Sequence, residues 1–459
     1  MIKWLEHGAG RRLAALRAIV APLLCVLAMN MAPLYAAEAE QFRIGAVRID
    51  ITPELPFVWA SGQGAKPQQF ESVHDPLYAR AIVIDNGQTA CAILSMDLVK
   101  VPKADDLIRR IAAATGIVPE HIVIAATHTH NEALVSIPPP MVPAAQAASY
   151  YENPVVAAYY EKVAAGVIQA VSQARQHLQP GRIGYGTGKA YINVNNGEFA
   201  GLRGGNGDPG GASDKTVTVL KFESLSGEPI AVFINYAVHN EAARSEQTDS
   251  IISADIAGAT SAYVEAHYSN KPVVLWTSGA AAEQMPEYKA ADVRDNKMDS
   301  PAGIWTLVNV QARRLGMETV RVLDQIKSDT TQGGIWGGVN VLSCPGQRAT
   351  GKIGATTYQT EDRDPVDIRL GYLVLGDIAL AAVGGELVDS IAKRIQQESP
   401  LSRTVVVTLA GNNSSYLLED AQYQKFWHLV SDAQIKPGCA ESGIPGSFAR
   451  LMKQYWDAR

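Results

Sequence analysis

Short apolar runs alternate with stretches of helical periodicity along almost the whole chain, and this alternation limits the fold more than any other feature. Residues 42–51, 81–84, 90–95, 121–126, 217–222, 230–238, 273–277, 372–375, 378–383 and 405–409 read as strands. Residues 104–115, 159–176, 253–267, 305–326 and 387–397 carry helical patterns, the first closed by Gly116. Such a mixture predicts an α/β or α+β fold whose sheets are largely buried. The 459 residues are 47% hydrophobic and 19% charged, enough apolar material for a sizeable core. Acidic residues exceed basic ones by only 46 to 40, and no basic stripe is present, so nothing points to nucleic acid. There is no internal repeat or interdomain linker, so residues 40–459 are expected to form one catalytic domain.

The first 39 residues read as a secretory signal. Lys3, Arg11, Arg12 and Arg17 precede an apolar stretch from Ala18 to about Met31, and Ala36-Ala37-Glu38-Ala39 supplies small-residue cleavage sites. The stretch is short of the ~20 residues a membrane span needs. Leu23-Leu24 before Cys25 speaks against a lipoprotein signal, and a secreted or periplasmic protein is expected. Cys91, Cys344 and Cys439 remain after cleavage, so one disulfide at most can form within the chain. Cys91 sits inside an apolar run and is expected to be a buried free thiol. Two loops stand out as lids or binding loops: 131–156, with Pro138, Pro139, Pro140, Pro143 and Pro154, and the glycine-rich 196–213.

Thr127-His128-Thr129-His130 directly follows the apolar run 121–126. On an extended backbone, side chains two apart share a side, so both imidazoles can reach one point. Other polar residues fall in equivalent places. His239 follows Tyr236-Ala237-Val238, Ser278 follows 273–277, Glu386 follows 378–383 through Gly384-Gly385, and Tyr416 follows 405–409. Ligands bind at the carboxyl edge of α/β sheets, and two histidines with a carboxylate suit zinc. Each residue taken alone has a plain structural reading, from helix-start carboxylate to core aromatic. Their convergence is what argues for a site.

At these residues the chain resembles the neutral (non-lysosomal) ceramidases, from about Arg43 to Tyr423. The likeness runs through Gly45-Ala46-Val47-Arg48-Ile49-Asp50-Ile51-Thr52-Pro53, Asp75-Pro76-Leu77-Tyr78-Ala79-Arg80-Ala81 and Ser95-Met96-Asp97-Leu98. It continues through Ala126-Thr127-His128-Thr129-His130, Pro180-Gly181-Arg182-Ile183, Val238-His239, Ile252-Ser253-Ala254-Asp255, Ser278-Gly279-Ala280-Ala281 and Gly385-Glu386. The resemblance implies two packed mixed β-sheets flanked by helices, and a zinc-dependent amidase that splits ceramide into sphingosine and a fatty acid. It implies zinc held by His128, His239, Glu386 and Tyr416, with His130 assisting catalysis by taking a proton from water and passing it to the leaving nitrogen. Ser278 is a further catalytic candidate. A family tyrosine that steadies the oxyanion falls, by count, on His428, with Tyr423 nearby. The chain departs from the family after each histidine, at Asn131-Glu132-Ala133 and Asn240-Glu241, and near Asn196, where a family arginine is replaced. The family's immunoglobulin-like domain is expected to be missing. The expected partner is an N-acyl lipid or smaller N-acyl substrate, with an ester as the alternative bond and a non-catalytic binding protein as the alternative class.

Overall fold

The computed structural model describes residues 41–59, 68–133, 152–196, 211–290, 300–352, 358–412, 414–424 and 427–459. The signal reading of 1–39 and the central parts of both expected binding loops lie outside them. Eight strands build the first sheet: β1 (Arg43–Asp50), β2 (Tyr78–Asp85), β3 (Ala90–Met96), β4 (Ile122–Ala126), β5 (Gln179–Lys189), β6 (Thr216–Ser224), β7 (Pro229–Tyr236) and β8 (Val273–Ser278). Four build the second: β9 (Ile335–Lys352), β10 (Tyr358–Leu375), β11 (Ile378–Val383) and β12 (Arg403–Val407). The helices are α1 (Ala104–Thr115), α2 (Pro154–Gln176), α3 (Asp255–His267), α4 (Pro301–Gln325), α5 (Asp389–Glu398), α6 (Trp427–Asp432) and α7 (Ala440–Asp457).

The first sheet runs β8-β7-β6-β5-β1-β2-β3-β4 and the second β9-β10-β11-β12. Most neighbours are antiparallel, but three pairs are parallel: β3 with β4, β7 with β8, and β11 with β12. A parallel pair needs a crossover, and α1, α3 and α5 supply the three. The two sheets face each other across one apolar layer. Phe42, Ile82, Ile93, Phe222 and Phe233 of the first meet Leu373, Leu375, Ile378, Leu380 and Val405 of the second. Helices α1 and α2 cover the outer side of β1–β4, α3 and α4 cover the β6–β8 half, and α5 and α7 cover the second sheet. Strands β2 and β3, sandwiched between layers, are buried along nearly their whole length, which is why they read as unbroken apolar runs.

The expected mixed fold is therefore present, and helix 104–115 and strand 378–383 have the expected bounds. Strand β5 was not legible, because Gln-Pro-Gly-Arg-Ile-Gly-Tyr-Gly-Thr-Gly-Lys lacks an apolar alternation. Its glycines have a packing reason. A Cβ on Gly184, Gly186 or Gly188 would come within 2.2–2.6 Å of Ile326 or Glu318 side-chain atoms, at and beside α4. Pro154, read as loop, is instead the first residue of α2, whose start is capped by Asn153 accepting from the Val155 N–H at 3.0 Å. The C-terminal α7 was missed because Pro445 lies inside it.

Cys344 of β9 is bonded to Cys439 at the start of α7, and Cys91 is a buried free thiol. The bridge spans 95 residues, so it removes much chain freedom from the unfolded state. Replacing both cysteines with alanine is expected to cost about 2–4 kcal/mol. An unchanged denaturant midpoint would contradict this.

Candidate metal centre

The segment before the first histidine is held by backbone contacts to β3 and the residues after it. Thr127 N–H donates to Met96 O at 2.9 Å and His128 N–H to Leu98 O at 2.9 Å. A buried ion pair anchors that stretch: Asp97 accepts from Arg80 at 2.6 Å and from the Tyr78 N–H at 2.8 Å. Strand β4 ends at Ala126, and His128 has φ 68, in the left-handed region. The two histidines thus converge through a turn rather than through strand alternation, and this corrects the reason expected from sequence. Beyond the turn, His130 N–H donates to Asn240 O at 3.0 Å, tying the first histidine pair to the segment of the third.

Two rings are locked by the same device. His128 Nδ1 faces Val99 O at 2.8 Å and His239 Nδ1 faces Gln284 O at 3.3 Å. A carbonyl only accepts, so each Nδ1 carries the proton and each Nε2 presents a lone pair, the usual arrangement behind a ligating imidazole. Both Nε2 atoms lie beside one Glu386 oxygen, Oε2, at 3.5 Å from His128 and 3.3 Å from His239. Glu386 Oε2 and His239 Nε2 are fully buried and have no hydrogen-bond partner among the described residues. Two buried acceptors left facing each other call for a cation between them. His130 joins the group from the other side. Its Nε2 is 3.3 Å from His128 Nε2, and the ligand atoms of His128, His130 and His239 lie within 4.8 Å of one another.

Glu386 and Tyr416 come from a short parallel pairing of Glu386–Leu387 with Tyr416–Leu417, in which the two residues are direct partners. The Tyr416 hydroxyl bonds to Glu386, and burial followed by that carboxylate pushes its pKa well above the phenol range. Burial alone would raise Glu386, but His128, His239 and the Lys100 ammonium 3.6 Å from Oε1 hold it well below the usual carboxylate range. Burial works against charge on His239, yet the facing Glu386 outweighs it and raises that imidazole. Burial and neighbouring His128 push the His130 pKa well down.

The remaining candidates sit differently. Ser278, the last residue of β8, is buried and its hydroxyl donates to Thr127 O at 3.4 Å, behind the histidine turn. The Tyr423 hydroxyl donates to Ile435 O at 2.8 Å. Neither bonds to the histidines or Glu386 among the described residues. His428 belongs to α6, but its side chain lies outside the described residues.

Three charged residues were not found from sequence. Glu241 is buried and pairs with Lys289 at 2.5 Å and Arg244 at 3.8 Å. Burial would raise its carboxyl, but Lys289, His130 and His239 bring it well below the normal range. The Arg244 guanidinium reaches His130 Nδ1 at 3.3 Å. Only its position five residues after His239 marks Arg244 in the sequence, and spacing alone does not distinguish it from any surface arginine.

Glu283 buttresses the site. Its Oε1 accepts the Asp389 N–H at 3.0 Å, joining the segment that orients His239 to the start of α5 just after Glu386. Burial raises its carboxyl from 4.5 to about 7. Between those values the folded protein binds more protons than the unfolded chain, so Glu283's share of stability falls as pH rises through that window. Glu283→Gln is expected to flatten the decline. Equal pH slopes in wild type and variant would contradict it.

Comparison with known proteins fits this geometry. The family model described as neutral/alkaline non-lysosomal ceramidase, N-terminal, matches residues 42–294, more than half of the chain. The neutral ceramidase of Pseudomonas aeruginosa is 27% identical over 263 residues, which are 54% of this chain and 37% of that protein. The chain thus matches little more than a third of that relative's length. The crystal structure of neutral ceramidase from Pseudomonas aeruginosa superposes with a TM-score of 0.72 at 17% identity, covering 91% of this chain and 75% of that one. A structure described as ceramidase complexed with C2 gives 0.73 at 17% identity, covering 91% and 76%. At that identity the likeness establishes the fold.

Proposed function

The chain belongs to the neutral/alkaline non-lysosomal ceramidase family, and from that premise we propose that it is a zinc-dependent hydrolase of N-acyl amide bonds, with a ceramide-like lipid or a smaller N-acyl compound as substrate. The observation that carries the reading is the convergence of His128 Nε2 with the buried His239 Nε2 and Glu386 Oε2, which have no hydrogen-bond partner among the described residues. His128, His239 and Glu386 would hold the ion, with Tyr416 as the fourth donor. An ion held there supplies Lewis acidity toward a carbonyl oxygen and lowers the pKa of water to ~7.

The chain's own residues do the rest. Val99 O and Gln284 O fix the two ring planes, so no reorganisation is needed when the ion arrives. Lys100 engages Glu386 Oε1 and leaves Oε2 for the ion. The Tyr416 hydroxyl must lose its proton to ligate, so affinity for the ion is expected to rise with pH. His130 is the least buried of the three histidines, so a scissile carbonyl would meet it first. Ser278 and Tyr423 act as supports of the Thr127 turn and of the Ile435 segment.

A secreted or periplasmic setting agrees with the Cys344–Cys439 disulfide, which persists in oxidising compartments. Among the described residues, no helix is long and apolar enough to cross a membrane.

The test is hydrolysis of a panel of N-acyl amides of varied acyl length beside matching esters, with metal analysis of the same preparation. Stoichiometric zinc, amide cleavage abolished by a chelator and restored by zinc, and loss of about a hundredfold or more in kcat/KM for His128→Ala are expected. Protein that contains no zinc, or His128→Ala at full activity, would overturn the reading. Cleavage of esters alone would move the bond from amide to ester.

A further inference from the structure

The contacts around His130 form a directed chain in which each link has a donor and an acceptor. Arg244 Nη1 lies 3.3 Å from His130 Nδ1, His130 Nε2 lies 3.3 Å from His128 Nε2, and His128 Nδ1 lies 2.8 Å from Val99 O. The two ends fix the direction. A guanidinium has only N–H donors, and a carbonyl only accepts. His128 must carry its proton on Nδ1, which leaves Nε2 as a lone pair. His130 Nδ1 must be a lone pair too, because an N–H there would point at the arginine's own N–H. The His130 proton therefore sits on Nε2, and the Nε2–H is aimed at His128 and the cluster. With the opposite tautomer, two lone pairs would face each other at 3.3 Å.

We propose that Arg244 is a positioning residue that fixes His130 as the Nε2–H tautomer, so that His130 serves the reaction as a hydrogen-bond donor and not as the base that takes a proton. The inference rests on the reading of this cluster as the reaction centre. With a cation on the His128 lone pair, the His130 Nε2–H would be free to donate to a substrate oxygen on which charge develops. A neutral Nε2–H imidazole has no lone pair on that side, so it cannot accept a proton there.

The arginine is itself held in place. Glu241 Oε2 lies 3.8 Å from Arg244, and Glu241 is pinned by Lys289 at 2.5 Å. The turn that carries Arg244 is clamped from behind, with the N–H groups of Ala242 and Ala243 donating to the buried Asp255 carboxylate at 3.2 and 2.8 Å. The Arg244 side chain is 58% exposed, so it can be replaced without opening the core.

The experiment reads the tautomer directly. Ring 15N-labelled histidines are observed by long-range proton–nitrogen correlation in the isolated protein, and the His130 signals are identified by their loss in His130→Gln. The expected result is a bare Nδ1 and a protonated Nε2 in wild type, and mixed tautomers or a protonated Nδ1 in Arg244→Met. Arg244→Lys, which keeps a donor cation, is expected to restore the wild-type pattern and covers the case in which the methionine variant does not fold. Kinetics give the second readout. Arg244→Met should lose about tenfold in kcat with KM and metal content unchanged. A proton on Nδ1 in wild type, or an unchanged tautomer in Arg244→Met, overturns the proposal. So does a raised KM at constant kcat, which would make Arg244 a substrate contact. Because the spectrum needs no turnover, it remains decisive if the protein cleaves no amide, whereas amide cleavage with a wild-type Nδ1–H would sink this proposal alone.

Discussion

Everything at the centre hangs on one short segment, Thr408–Gly411, which satisfies the backbone groups of three strand ends at once. Thr408 N–H donates to Ser278 O at 2.9 Å, at the end of β8. Leu409 O accepts from Ala126 and Gly411 N–H donates to Ile124 O, both of β4. Ala410 N–H donates to Val383 O, at the end of β11, and Leu409 N–H to Gly385 O beside Glu386. Strands β4 and β8 are the two outer edges of the eight-stranded sheet, where unpaired N–H and C=O groups would otherwise be buried at a cost. One strap from the second sheet meets both edges and so brings His128 and Glu386 to the same place. The strap needs unusual backbone to do it, with φ 55 at Leu409 and φ 93 at Gly411. Glycine takes the second without a steric penalty, while Leu409 carries strain of order ~1–3 kcal/mol that the surrounding hydrogen bonds hold in place.

The same logic repeats at His128. A histidine with φ 68 is uncommon, and it persists because the carbonyls of Leu98 and Val99 bind it while Met96 O holds the preceding Thr127 N–H. The buried Arg80–Asp97 pair is what holds those carbonyls in line, since Asp97 leads directly into Leu98 and Val99. A buried ion pair contributes little net stability, but breaking one leaves an uncompensated charge. Its value here is positional. It keeps the loop after β3 in the single arrangement that turns His128 Nε2 inward.

How much of this was visible beforehand follows from physics. Strands with apolar side chains on both faces, such as β2, β3 and β11, announce themselves as apolar runs. Strand β5, strand β9 and β10 before its apolar end at 372–375 do not, because glycines packed under α4 and polar exposed faces erase the pattern. The residues gathered at the centre were legible for a related reason. His128, His239, Glu386 and Tyr416 each follow a buried strand, and that position after an apolar run is what marked them in the sequence. The charged support was not legible. Lys100, Glu241, Arg244 and Glu283 owe their roles to tertiary neighbours 48 to 286 residues away, and no local pattern distinguishes them from surface charges.

The departures from the family pattern take on a different meaning in this light. Asn240, directly after His239, makes three contacts at once. Its side-chain amide donates to Thr127 O, its side-chain oxygen accepts from Ala257 at 2.9 Å, and its carbonyl accepts from His130. Asn131, directly after the first pair, donates to Thr248 O at 3.1 Å and Ile251 O at 3.3 Å. Glu132 accepts from the Val99 N–H at 3.4 Å, behind the carbonyl that orients His128. Asn240 ties the two histidine segments together, Asn131 ties the first to residues 248–251 and Glu132 ties it back to Val99, so a change at any of them shifts the histidine side chains. The departures thus form one set of mutually dependent contacts. Glu241, Arg244 and Lys289 lie beside them as one linked charged group that reaches His130.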